Sequence, residues 1–339
     1  MTPLTELLRD EIHRQGPVTF HRFMQAALYD PANGYYRRAR DPFGKQGDFY
    51  TAEQIQPVFG ILMAARIRTL YHEMGAPSDF TVVELGAGRR EMAAAFSEWL
   101  YVPLDLTNGA LADGALPEGA LPERFRGVVF ANEFFDALPV HAITYRDGSF
   151  RELRVAWDGR FVWHAGEPAG EEIADYMRRY FPPPSEEGAL FEVNLEALAW
   201  LERIARALHG YVFTIDYGYT RAESVRFPRG TLMSYRRHHA SEDVLDDPGV
   251  RDITAHVSFT ALQEHGARLG MQTVCFETLA RTLLSAGEPD QFQAALAAST
   301  PADEVRRRLQ LKSLLFGMGE TFRTLIQRAG GAVAEGATK

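Results

Sequence analysis

Apolar residues recur along the chain with two different periods, which together predict strands that alternate with helices. The clearest strand is the apolar run that begins at Phe80 and ends at the glycines Gly86 and Gly88, because an unbroken run of this length is typical of a buried parallel strand. Similar runs predict strands at residues 101–106, 127–131, 210–216 and 271–276. Helical spacing predicts helices at residues 4–14, 20–28, 54–74, 90–99, 192–208, 259–269 and 302–315.

A different pattern occupies residues 141–163, where apolar and polar residues alternate around Asp147-Gly148 and Asp158-Gly159. It predicts antiparallel hairpins inserted into the larger body, and Pro182-Pro-Pro184 ends the insertion. We therefore expect an α/β fold with a mostly parallel, doubly wound sheet and a smaller accessory region. The predicted segments are 1–76 (N-terminal helices and lid), 77–140 with 186–330 (core) and 141–185 (insertion, forming part of a cleft).

Composition excludes several classes of protein. Among 339 residues, 36 Lys and Arg stand against 45 Asp and Glu, and the net charge of -9 argues against a surface that binds nucleic acid. The single Cys275 excludes an internal disulfide or a cysteine-based zinc site, and the adjacent His238 and His239 would point apart, so we predict no metal site. Neither a run of ~20 apolar residues nor a signal-peptide pattern is visible, so we expect a cytoplasmic protein without a membrane partner.

The turn after the first core strand carries candidate chemistry. Gly86 and Gly88 would let the backbone bend tightly and come close to a small molecule. Glu84, just before them, would repel a pyrophosphate but attract a cation. S-adenosylmethionine carries both an ammonium and a sulfonium group, so the turn favours this methyl donor over a dinucleotide.

Acidic and polar residues end three of the predicted strands: Glu84, the group Asn132, Glu133 and Asp136, and the sequence Asp216-Tyr217-Gly218. Ligands of an open parallel sheet bind at the carboxyl ends of its strands, so the three sets are expected to face one crevice. The simpler alternative for Asp136 is that it caps a following helix. His256 could orient a substrate or simply satisfy a buried hydrogen bond, and we favour the second interpretation.

These motifs, taken in order, resemble the MidA-like family of S-adenosylmethionine-dependent methyltransferases. The resemblance covers about residues 17 to 270. Its motifs are Gly34-Tyr-Tyr36, Gly47-Asp-Phe49 with Thr51, Phe59-Gly60, Val83-Glu-Leu-Gly-Ala-Gly88, Ala131-Asn-Glu-Phe-Phe-Asp-Ala-Leu-Pro139, Ile215-Asp-Tyr-Gly218, Gly230-Thr-Leu232 and Asp252-Ile-Thr-Ala-His-Val257. The family includes bacterial proteins of unknown substrate and a mitochondrial assembly factor that dimethylates an arginine of a respiratory complex I subunit.

The resemblance implies a Rossmann-like class I methyltransferase with S-adenosylmethionine as cofactor. It implies that the donor is bound by the glycine turn and Glu84, by Asp105 at its ribose, and by a covering loop. The implied donor-binding residues are Glu84, Gly86, Gly88, Asp105, Gly47, Asp48 and Thr51. It also implies a protein acceptor in the cleft, an arginine by analogy, with a respiratory complex subunit as the candidate acceptor. An arginine must lose a proton as it reacts, and Glu133 and Asp136, with Asn132, could hold the guanidinium and accept that proton.

Two departures from the family pattern leave a second hypothesis open. Arg90 stands where the family usually has a third glycine, and residues 107–124 form a short, compositionally simple segment. The alternative is therefore a family member that lost activity and acts as a binding or assembly factor. A nicotinamide-dependent oxidoreductase is disfavoured by Glu84 and by the missing third glycine.

Overall fold

A computed structural model describes residues 2–37, 51–105, 121–184 and 186–330. The implied lid residues Gly47 and Asp48, and most of the segment 107–124, lie outside these ranges. The helices are α1 (Pro3–Gln15), α2 (Phe20–Tyr29), α3 (Val58–Glu73), α4 (Glu171–Tyr180), α5 (Leu195–Ala207), α6 (Phe259–Arg268), α7 (Leu279–Gly287), α8 (Gln293–Leu296) and α9 (Pro301–Phe316). The strands are β1 (Val18–Thr19), β2 (Phe80–Leu85), β3 (Leu100–Leu104), β4 (Phe125–Asn132), β5 (His141–Arg146), β6 (Ser149–Trp157), β7 (Phe161–Pro168), β8 (Leu190–Val193), β9 (Leu208–Tyr219), β10 (Met233–Arg236), β11 (His239–Ser241), β12 (Asp252–Thr254), β13 (Val257–Ser258), β14 (Gln272–Thr278) and β15 (Phe322–Ala329).

The large sheet has the order β14-β15-β9-β4-β2-β3, and β13 adds to β9. Strands β3, β2, β4 and β9 are parallel, whereas β15 runs antiparallel to both of its neighbours. Every residue of β2 is buried, because apolar clusters cover both faces of the sheet. One cluster involves α3, α7 and α9, and the other involves α5 and α6. The predicted α/β fold with a mostly parallel, doubly wound sheet is confirmed.

A second, antiparallel sheet contains the predicted hairpins. Its order is β1-β6-β5-β8, and β7 also pairs with β6, along residues 151–157. The hairpin turns use Gly148 and Gly159 with φ of 71° and 69°, a left-handed conformation that glycine adopts without strain. Val18 of β1 pairs with Val155 of β6, so the N-terminal segment and the insertion share one sheet.

This sheet also takes in β8, which lies within the segment that we assigned to the core. The helix expected to begin at Glu192 begins instead at Leu195. Asn194 stops the strand and caps α5, since its side chain accepts a hydrogen bond of 2.9 Å from the Ala197 N–H. Glu192 lies in β8 and accepts hydrogen bonds from the backbone and hydroxyl of Thr231, at 2.7 Å and 3.0 Å. The division of the chain into three segments stays a prediction.

The helix predicted at residues 90–99 is wrong. The structure has a run of turns there, in which the hydrogen bonds span three residues from Ala93 to Arg90 and four from Phe96 to Met92. Arg90 adopts a left-handed φ of 60°, which cannot begin a right-handed helix. Met92 and Phe96 are nevertheless fully buried, so the apolar spacing reports burial and not a regular helix.

In the part of the chain that the structure describes, no helix has both the length and the apolar composition needed to cross a bilayer.

Candidate active site

The glycine turn lies at the carboxyl end of β2 and is fastened to the end of β3. The Gly86 and Ala87 N–H groups donate to the Leu104 carbonyl at 2.9 Å and 3.1 Å, and the Gly88 N–H donates to Asp105 Oδ2 at 2.7 Å. Both glycines have positive φ, 72° and 44°. Gly86 is exposed, so the turn presents bare backbone to a ligand beside the Asp105 carboxylate.

Glu84 lies beneath this turn and is fully buried. One carboxylate oxygen accepts a hydrogen bond from the Tyr101 hydroxyl. The other, Oε1, has no hydrogen-bond partner among the described residues. Burial raises the pKa of Glu84 to about 7, and the hydrogen bond from Tyr101 opposes part of that rise. A buried carboxylate oxygen without a partner is suited to a cation, so this position fits the ammonium-bearing donor.

Glu133 comes directly after β4, beside the end of β9. Its φ is 50°, and its N–H donates to the Ile215 carbonyl at 2.9 Å. Its Oε1 accepts from the Ala52 N–H at 3.0 Å and from Asn132 Nδ2 at 3.2 Å. Burial raises the pKa of Glu133 to about 8, and the neighbouring Asp136 carboxylate contributes to the rise. Two separate chain segments therefore orient a carboxylate that can accept a proton near neutral pH.

Asp136 is buried near Glu133. Its Oδ1, like Asn132 Oδ1, has no hydrogen-bond partner in the described ranges. Burial raises the pKa of Asp136 to about 6, against a lowering effect of the Tyr217 hydroxyl. The helix-cap alternative for Asp136 is wrong, because turns lead from Asp136 to β5 and no helix begins there.

The third predicted set of strand-end residues has a structural role. Asp216 is fully buried, and its two oxygens accept hydrogen bonds from the Phe135 N–H at 3.1 Å and the Tyr217 N–H at 3.0 Å. Burial and the nearby Asp136 and Glu133 carboxylates raise its pKa well above the usual range. Asp216 therefore holds the turn that carries Glu133 and Asp136.

The aromatic side chains of Tyr29 and Tyr36, which line one wall of the site, were not identified as functional residues from the sequence. The Tyr36 hydroxyl donates to Asp252 Oδ1 at 3.0 Å, and the Tyr29 hydroxyl donates to the Ala137 carbonyl at 2.7 Å. The two rings are stacked, with centroids 5.6 Å apart. Burial raises the pKa of Tyr36 most, and the Asp252 and Asp136 carboxylates raise it further. The signal was present in the motifs that contain Tyr36 and Asp252, but nothing in their spacing shows that they meet.

The other predicted residues fall as follows. Thr51 is buried immediately before Ala52, so its segment lies against the end of β4. The ring of His256 packs between Tyr217 and Phe227, with centroids 5.0 Å and 5.2 Å away, and burial lowers its pKa to about 4. His256 Nδ1 has no partner among the described residues, and packing between the two aromatic rings positions the imidazole.

Comparisons with known proteins show which proteins this chain resembles. A family model described as "Putative S-adenosyl-L-methionine-dependent methyltransferase" matches residues 115–277. The chain is 28% identical to the mitochondrial protein arginine methyltransferase NDUFAF7 homolog of Drosophila melanogaster, over 80% of this chain and 72% of that protein. It is 26% identical to the human mitochondrial protein arginine methyltransferase NDUFAF7, over 78% and 68%. A solved structure from Burkholderia thailandensis, bound to S-adenosyl-homocysteine, is 31% identical and covers 97% of this chain and 93% of its own, with a TM-score of 0.82.

The sheet order, the glycine turn and these matches define an S-adenosylmethionine-dependent methyltransferase of the Rossmann-like class. S-adenosylmethionine is its cofactor. Within that class, the chain belongs to the MidA-like family.

The expected cytoplasmic location is corrected by the same comparisons. The Drosophila and human relatives are both mitochondrial proteins. The expectation rested on the absence of a recognisable signal-peptide pattern, which gives no information about mitochondrial import.

Proposed function

We propose that this methyltransferase transfers a methyl group to an arginine side chain of a protein, with a respiratory complex subunit as the acceptor. The observation that carries the proposal is the pair Glu133 and Asp136, two buried carboxylates with raised pKa values on one turn. The names of the Drosophila and human relatives support a protein arginine acceptor. The respiratory complex is supported only by the family resemblance.

The donor site proposed is the glycine turn with the acids on either side of it. Glu84, Gly86, Gly88 and Asp105 would hold the donor, and its sulfonium supplies an electrophilic methyl group. Thr51, with Gly47 and Asp48 outside the described ranges, would belong to the covering loop. The protein's own contribution is alignment and the exclusion of water, since displacement at a methyl group needs little acid or base chemistry.

At the acceptor side, the geometry suits a planar cation. Asp136 Oδ1 and Asn132 Oδ1, which have no hydrogen-bond partner among the described residues, are acceptors for N–H groups, which a guanidinium supplies in a fixed fork. Glu133, whose Oε1 is held by Ala52 and Asn132, would take the proton that the guanidinium loses as it is methylated. The cleft would lie between the core and the sheet formed by the insertion and β1, with Tyr36 and Asp252 on its wall.

Peptides that differ only at the acceptor residue test this proposal. Peptides from a respiratory complex subunit, each with one arginine, would be incubated with the protein and S-adenosylmethionine, and methylation would be located by mass spectrometry. The matched control peptide carries lysine in place of arginine. We expect methyl groups on arginine and loss of labelling by at least 100-fold in the lysine peptide, because an ammonium cannot match the two acceptors together. Equal labelling of lysine, or methyl transfer only to a small molecule, would reject the arginine assignment.

A further inference from the structure

Glu53 is a buried carboxylate in the segment that leads into α3. It lies in a short 3₁₀ turn, Ala52–Gln54, and only 8% of its surface is exposed. The preceding Ala52 N–H donates to Glu133 Oε1, which fixes this turn against the carboxyl ends of the core strands. Its sequence neighbour Thr51 was singled out from the motif, but Glu53 was not.

The Glu53 carboxyl group lies within hydrogen-bond reach of the Glu84 carboxyl group. Glu84 Oε2 already accepts a hydrogen bond from the Tyr101 hydroxyl. Glu84 Oε1 receives no hydrogen bond from an N–H or hydroxyl donor of the described residues. Contact between two carboxyl groups is a hydrogen bond only when one of them carries a proton. The pair therefore requires either a shared proton or a cation.

Among the described residues, carboxylates surround the pair, and the partly exposed Arg89 guanidinium lies 4.0 Å from one of them, Glu91. The carboxylates of Glu91 and Asp105 raise the pKa of Glu84. Those of Glu133 and Glu91 raise the pKa of Glu53. Arg90 acts on the adjoining Tyr101 in the opposite direction, and its own side chain is exposed. Burial and these carboxylates raise the pKa of Glu53 well above its usual value. Because two buried carboxyl groups in contact cannot both ionise easily, we expect the free pair to retain one proton at pH values just above the pKa of Glu84.

We propose that Glu53 and Glu84 together bind the ammonium group of the donor, and that donor binding releases to solvent the proton that the two carboxyl groups share in the free protein. This inference rests on the proposed donor site. The balance is simple: the free pair carries one proton and one negative charge, and the occupied pair carries two negative charges against one ammonium. Glu53 is then a binding residue supplied by the N-terminal segment, so this segment and the glycine turn recognise the donor together.

Calorimetry in buffers of different ionisation enthalpy measures the proton release directly. The full-length protein would be titrated with S-adenosyl-homocysteine, which keeps the ammonium but has no sulfonium charge, and no acceptor is needed. We expect release of close to one proton at about pH 8, above the pKa of about 7 of Glu84, falling towards zero at higher pH as the free pair ionises fully. 5′-Methylthioadenosine, which lacks the amino acid part of the donor, should release none.

Variants locate the released proton. In Glu53→Gln the release should disappear, and affinity for S-adenosyl-homocysteine at about pH 8.5 should fall roughly tenfold because one of two carboxylates is lost. Glu84→Gln should behave similarly, which keeps the test valid if one variant fails to fold. The matched control is Glu98→Gln, since Glu98 is exposed and pairs with Arg68; it should release the same proton as the natural chain.

The possible failures are distinct. If S-adenosyl-homocysteine binds without proton release, or if Glu53→Gln still releases the proton, the inference is wrong while the donor site can stand. Equal release with 5′-methylthioadenosine would also overturn it, because the ammonium would then not be the trigger. If S-adenosyl-homocysteine does not bind at all, the proposed donor site fails with it.

Discussion

Replacement of Glu133 by glutamine removes the proposed base while it keeps the hydrogen bonds that orient it. The glutamine amide oxygen can still accept from the Ala52 N–H and from Asn132 Nδ2, at the positions now 3.0 Å and 3.2 Å from Glu133 Oε1. The change therefore removes a charge and a proton acceptor, with little change in shape. A loss of activity can then be assigned to proton transfer.

The magnitude follows from the raised pKa of Glu133, about 8. A base with this pKa is about 9% ionised at pH 7 and about 91% ionised at pH 9, so kcat of the natural chain should rise about tenfold between them. General-base catalysis contributes about 10²–10⁴-fold, so Glu133→Gln should lose that factor at about pH 9. At about pH 6, Glu133 of the natural chain is only about 1% ionised. The ratio between the kcat of the natural chain and that of Glu133→Gln should therefore be about 100-fold smaller at about pH 6 than at about pH 9.

The assay follows formation of S-adenosyl-homocysteine across this pH range with saturating donor and a methylatable acceptor. Saturation keeps any effect of pH on donor binding out of kcat. Glu98→Gln serves as a control for removal of an exposed carboxylate. If Glu133→Gln shows the same rise in kcat with pH as the natural chain, Glu133 is not the base.

Three further substitutions test other parts of the structure. Phe130→Ala should lower the free energy of unfolding by about 3–5 kcal/mol in a denaturant titration, because Phe130 is fully buried between Phe96 and Phe213; a loss below about 1 kcal/mol would contradict the packing. Asp216→Ala should cost about 2–5 kcal/mol in the same measurement, since it leaves two backbone N–H groups without acceptors; an unchanged midpoint would contradict this role. Asp105→Asn should weaken S-adenosyl-homocysteine binding about tenfold by calorimetry, and an unchanged Kd would remove Asp105 from the donor site.

Strands β2, β4 and β9 were predictable because each contains a continuous apolar run that the structure buries on both faces. Strand β15 was not predicted, although it lies inside the sheet, between β14 and β9. Strand β8 was not predicted either, since it has only four residues and contains Glu192, whose partner Thr231 lies 39 positions away. The turns at residues 90–99 were missed for a different reason. Helical spacing of Met92 and Phe96 reports which side chains are buried, and it does not reveal the left-handed conformation of Arg90.

The candidate site shows the same limit. Glu84, Glu133 and Asp136 could be selected because parallel strands place their carboxyl ends on one edge of a sheet. Glu53 and Tyr36 could not, because each meets its partner through the docking of the N-terminal segment, and Tyr36 and Asp252 are 216 positions apart. Tyr36 and Asp252 both lie within recognisable motifs, but only the tertiary structure pairs them.

Strand β15 gives the large sheet an order of assembly. It follows β14 in the chain, with α7, α8 and α9 between them, yet it lies between β14 and β9 in the sheet. During synthesis on the ribosome, β14 therefore has no place in the sheet until β15 has emerged. Until then, residues 210–217 of β9 present an open edge that could pair with another chain. A nascent chain stalled before β15 should thus depend on chaperones far more than one released after it.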